Sequence, residues 1–151
     1  MPPRLISQQT LLEHEIVARL SEALRTAVAW NQHGDMSRKL SSVHFLAESF
    51  ARHVQRMFEL EEHSGYIEHV EQSHPELASQ VTVFRGEHAA FLERLAEFIR
   101  LLQISATMSA EATDLLFDDM QTLLADIDSH NKREMNLLEV VILEQHHTDS
   151  E

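Results

Sequence analysis

The chain has 151 residues, 43% hydrophobic and 25% charged, which suits one domain with its own apolar core. Three glycines and three prolines are too few for the turns of an all-β fold, and without cysteine there are no disulfides, thiolate chemistry or zinc-finger sites. A net charge of -13 repels phosphate backbones and speaks against nucleic acid as a partner. No run of 18 apolar residues is present and MPPRLISQQT lacks a signal-peptide core, so a soluble, cytoplasmic protein with no membrane partner is expected. Eleven histidines direct attention to where they fall.

Four long helices are expected in chain order. The first runs from about Ile6 to Gln32, with Leu11, Val17, Leu20, Leu24 and Val28 at helical spacing and Gly34 as the residue after its end. Trp30 reads as a packing anchor. The second runs from about Ser37 to Gln72 through Leu40, Val43, Ala47, Phe50, Val54, Met57 and Phe58. Ser73-His74-Pro75-Glu76 predicts a capped start, with Ser73 as N-cap and Glu76 closing a capping box. The third helix continues to about Leu102, and Ile104 to Ser109 forms a loop. The fourth runs from about Ala110 to Glu144, followed by a polar tail, 146–151, expected to fray. Period-2 alternation, repeats and low-complexity segments are absent. Residues 1–151 therefore predict one all-α domain, an antiparallel up-down-up-down four-helix bundle.

At about 100° per residue, each helix places an ionisable group on its apolar stripe. His14 falls with Leu11, Val17, Ala18, Ser21, Leu24 and Val28. Glu61 falls with Val43, Phe50, Val54, Met57 and Gly65, and His88 with Leu77, Val81, Phe84, Leu92, Leu95 and Ile99. His130 falls with Leu123, Leu137 and Val141, and Glu134 lies one turn further on. Counted along antiparallel helices at about 1.5 Å per residue, all five lie roughly 12–22 Å from one end. A single histidine on such a stripe is more often a satisfied core residue than a ligand. A buried ionised carboxylate is different: it needs a partner or a metal, and no core-facing Lys or Arg opposes Glu61 or Glu134. Three imidazoles and two carboxylates suit iron or manganese and tolerate zinc.

The motifs resemble the hemerythrin-like, or HHE cation-binding, family across nearly the whole chain. They are Glu13-His14; Met57-Phe58-Glu59-Leu60-Glu61; Glu87-His88; and His130-Asn131-Lys132-Arg133-Glu134. Leu60 to Tyr66 is similar to a signature of bacterial stand-alone members. The resemblance implies that His14, Glu61, His88, His130 and Glu134 ligate non-haem iron, as a pair or a reduced one-metal site. It also implies that the site binds or senses O2 or another small diatomic ligand, or redox state. Two positions depart from the pattern: Met57 and Leu92 stand where family members carry histidines. His53, one turn before Met57, is the substitute donor to examine.

Glu62 reads as solvated, or else as a carboxylate behind or bridging the ligands. Asp119 and Asp126 read as hydrogen-bond partners for ligating imidazoles, or as residues of a solvated bundle end. His33, His44, His63, His69 and His74 read as surface residues, and His146 and His147 as an adventitious metal site. Phe50, Met57, Phe84 and Leu92 read as core. Two other readings stay open. One is a metal-free bundle serving as a structural or protein-interaction module. The other is a ferritin-like di-iron oxidase, ranked last because Glu-x-x-His pairs occur only near helix ends, at Glu71/His74 and Glu144/His147. No catalytic residue and no separate substrate pocket is inferred.

Overall fold

The structure, a computed structural model, describes residues 8–30, 36–63 and 66–149, without the side chains of 66 and 142–149. Among the described residues the helices are α1 (Gln8–Ala29), α2 (Met36–His63), α3 (Tyr66–Ser73), α4 (Ala78–Gln103) and α5 (Ala110–Asp149). Single 3₁₀ turns at Pro75–Leu77 and Ser105–Thr107 precede α4 and α5. The described residues contain no strand. Both α1 and α4 pack against α2 and α5, which closes a four-helix bundle, and the short α3 leans on α2 and α4. The all-α bundle is thus as expected.

Several local expectations are corrected. Of the second expected helix, residues 36–63 and 66–72 are helical, as α2 and most of α3, which continues to Ser73. Ser64 and Gly65, weak helix formers, lie between them and outside the described residues. The capping box before α4 does not form. Ser73 Oγ lies 3.2 Å from His69 Nε2, and Glu76 Oε1 lies 3.2 Å from His74 Nδ1. His74 precedes the 3₁₀ turn without a side-chain cap. At α5 a cap does form, with the Ala112 N–H donating to Ser109 Oγ at 3.1 Å. The fourth helix, expected to end at about Glu144, is helical to Asp149, and residues 150 and 151 lie outside the described residues. Trp30, expected as a packing anchor, follows the end of α1 and is 42% exposed. Gly34 and His33 lie outside the described residues.

The apolar core is interrupted. One cluster contains Val17, Leu24, Phe50, Val54, Met57, Phe58, Phe91, Leu95, Leu124 and Ile127. A second contains Ile67, Val70, Val81, Phe84, Leu137, Leu138 and Val141. On α5 the first ends at Ile127 and the second begins at Leu137, with buried His130 and Glu134 between them. On α4, His88 falls between Phe84 and Phe91, and on α2 Glu61 follows Phe58. A polar layer therefore divides two apolar ones.

Candidate metal centre

The ionisable residues of this layer come from all four long helices. Glu61, His88, His130 and Glu134 are buried, and the His14 side chain keeps 14% exposure. His14 Nε2 lies 2.7 Å from Glu61 Oε1. His88 Nε2 lies 3.3 Å from Glu61 Oε2 and 2.5 Å from Glu134 Oε1. His130 Nε2 lies 2.6 Å from that same Glu134 oxygen. All five residues predicted as ligands are thus brought together.

These approaches are close, but most are not aligned as hydrogen bonds. Both oxygens of Glu61, both ring nitrogens of His130 and Glu134 Oε2 are buried without a hydrogen-bond partner. Such orphaned groups are costly in an apolar interior. Groups of this kind are satisfied when they share a cation. Two sets of three ligand atoms lie within 4.8 Å of one another: His88, His130 and Glu134, and His14, Glu61 and Glu134. Glu134 belongs to both. The donor set therefore fits a metal, and its N/O mixture fits iron, manganese or zinc.

The electrostatics without a cation show the same crowding. Burial raises Glu61 above the ordinary carboxylate range, although His14 and His88 pull it down. Burial acts on Glu134 too, but His130 and His88 outweigh it and hold that carboxyl well below its usual range. Burial opposes charge on His88 as well, yet Glu134 and Glu61 push its imidazole up to about 10.

Behind two of the candidate ligands stand carboxylates. Glu62 Oε1 is hydrogen-bonded to His88 Nδ1 at 3.3 Å, so Glu62 sits behind a ligand. Glu87 Oε2 lies 3.4 Å from His130 Nδ1 and is itself clamped by Arg133 at 2.8 and 2.6 Å. The hydrogen bonds from Arg133 hold Glu87 below its usual range. Carboxylates in this position fix ring orientation and strengthen the ligand. Glu87 was missed in the sequence except as part of Glu87-His88; the signal available was Arg133, which only the fold brings across from α5. Asp119 and Asp126 do not play this part. Asp126 pairs with Arg94 at 3.0 Å in the open, and Asp119 lines a groove with Glu93 and Arg94 away from the ligands.

Aromatic rings pack one side of the centre. Phe58 stacks on His88 with ring centroids 3.8 Å apart, and Phe58, Phe84 and Phe91 meet His130 edge-on at 5.3–5.7 Å. Phe84, read as core, is therefore also a wall of the site. Met57 is fully buried in the first apolar cluster, and Leu92 is partly buried against it.

On α1 the buried stripe runs Thr10, Glu13, Val17, Ser21, Leu24 and Val28, so His14 sits at its rim. Leu11, expected inside, is exposed, and Glu13 is inside instead. Glu13 is stabilised there by His53 Nδ1 at 2.9 Å and Arg56 at 3.1 Å. That pairing also settles His53: it serves Glu13 and does not replace the histidine missing at Met57. Of the other histidines, His63 is exposed, while His44, His69 and His74 are half-buried, and none joins the centre. The side chains of His146 and His147 lie outside the described residues.

A helical bundle whose middle layer is built from histidines and shared carboxylates defines a class, the helical cation-binding proteins. Within it the match is specific: the hemerythrin HHE cation binding domain matches residues 6–142. The chain belongs to that family. Neither the curated proteins nor the solved structures yield a match.

Proposed function

We propose that this protein binds non-haem iron at a carboxylate-bridged centre and that the centre binds or senses dioxygen or redox state. The observation that carries the reading is the pair of ligand triads sharing Glu134, which favours two ions over one. His88 and His130 would serve one position, His14 and Glu61 the other, with Glu134 between them. Iron, when bound, supplies a change of oxidation state and a place for a small ligand. The chain's own residues do the rest. Glu62 holds the His88 ring, Glu87 lies 3.4 Å from the His130 ring, and Phe58, Phe84 and Phe91 keep water from that side. Met57 and Leu92 reduce the imidazole count, which argues for sensing or redox response over reversible oxygen carriage.

Metal analysis of tag-free protein purified anaerobically tests the reading, beside Glu61→Ala and His130→Ala. Stoichiometric iron in the parent, lost from both variants, is expected. No stoichiometric metal, with thermal stability indifferent to added iron or zinc, would sink it. The buried Met57 would then mark a metal-free bundle retained as an interaction module.

A further inference from the structure

Hydrophobicity alone would turn α1 differently. Leu11 and Leu12 stay 48% and 56% exposed, while the neighbouring carboxylate, Glu13, is buried. Leaving leucines in water to enclose a carboxylate is unfavourable unless the carboxylate is paired. The pairing comes from α2, where His53 Nδ1 and Arg56 Nε lie 2.9 and 3.1 Å from the two Glu13 oxygens. On α1, Glu13 and His14 stand about 100° apart, on opposite flanks of the buried stripe through Val17, Ser21 and Leu24. The rotation that buries Glu13 is therefore the one that keeps His14 at the rim, with its Nε2 2.7 Å from Glu61 Oε1. Glu61 is also on α2, so one helix receives both neighbours: Glu13 on His53 and Arg56, and His14 on Glu61.

Resting on the metal reading above, we infer that Glu13 is a positioning residue for the centre: pinned by His53 and Arg56, it fixes the rotation of α1 that presents His14 to Glu61. None of these three residues belongs to the ligand sets, so they act through His14. With Glu13 unpinned, α1 turns toward Leu11 and carries Glu13 outward. The His14 ring then swings away from Glu61, and that position loses its imidazole. The position of His88 and His130 is built on α4 and α5 and keeps its ligands.

Two measurements on the full chain test this. The first is the His14 imidazole resonance in the metal-free protein, assigned by its loss in His14→Ala. The second is Co(II) uptake, in which the His14-dependent ion is the difference between the parent and His14→Ala. Glu13→Ala, and separately the double change His53→Ala, Arg56→Ala, are expected to move the His14 signal toward that of a free histidine. Both should weaken the His14-dependent ion by about tenfold or more and spare the other. Glu13→Leu prefers the same buried face without any partner, so it should restore the His14 signal and bring that ion to within about threefold of the parent affinity. Val28→Ala, further along the same stripe, lowers Tm and should leave both readouts unchanged. An unmoved His14 signal in Glu13→Ala and in the double variant overturns the inference. Losses in Val28→Ala equal to those in Glu13→Ala overturn it too, as general destabilisation. So does a Glu13→Leu variant that recovers neither readout, since charge and not helix rotation would then be at work. A parent that takes up cobalt, but no more than His14→Ala, overturns the role at the ion. A parent that takes up none removes the metal reading, and the His14 signal still decides whether Glu13 sets the place of that ring.

Discussion

Glu134 carries more of this centre than any other side chain, because one of its oxygens faces both His88 and His130 while the residue completes the His14–Glu61 set. Glu134→Gln is therefore expected to abolish metal uptake at both positions, whereas His14→Ala should spare the His88–His130 position; metal stoichiometry separates the two outcomes. Protons compete for the same atoms. His88, pushed up to about 10 by Glu134 and Glu61 against the pull of burial, is protonated in the metal-free protein at neutral pH. The stabilisation from that raised value is complete below about 6.5 and is lost as pH rises toward 10. Metal-free protein should thus melt lower at pH 9 than at pH 6.5. Loaded protein should hold its metal more tightly at pH 9, because binding displaces the proton. Melting curves at the two pH values, with and without a chelator, check both signs; a metal-free protein equally stable at each would count against the protonated His88.

At the scale of the helices, what matters is which partner can return to water. Glu13 of α1 is 7% exposed, while Arg56 and His53 of α2 are 60% and 35% exposed. Glu13→Gln frees two groups that hydrate readily, so a loss of about 1 kcal/mol is expected. The double change His53→Ala, Arg56→Ala strands the buried carboxylate instead and should cost about 2–4 kcal/mol. Denaturant melts of the two variants should show that order, and equal losses would refute the asymmetry. Across the α2–α4 contact, Glu62→Gln should leave the fold intact and weaken metal binding by about 10–100-fold, since Glu62 is hydrogen-bonded to His88 Nδ1. Titration of the metal-free variant with iron or zinc measures this.

Over the whole molecule, the polar layer between two apolar clusters makes stability conditional on a bound ion. Unpartnered Glu61, His130 and Glu134 atoms destabilise the metal-free bundle, and an ion that binds only the folded state offsets them. At about 100 times its dissociation constant a ligand stabilises by about 2.7 kcal/mol. For a domain of this size that corresponds to a Tm rise of roughly 5–10 °C. Calorimetry before and after chelation should show a fall of that size, and an unchanged Tm would mean that the layer is self-sufficient.

Helical periodicity and the scarcity of glycine and proline were enough to call a four-helix bundle, because an amphipathic stripe can be buried only against another helix. The two candidate carboxylates, Glu61 and Glu134, were legible for a related reason, since a carboxylate on an apolar stripe has no cheap alternative to a partner or an ion. His14, His88 and His130 joined them through their stripes and the family resemblance. What surrounds those ligands was not legible. The rotation of α1 that buries Glu13 and exposes Leu11 depends on Arg56 and His53 of another helix, and the role of Glu87 depends on Arg133 of α5. Spacing along one helix specifies which face a residue is on. Which residues of other helices meet that face is decided only when the helices pack.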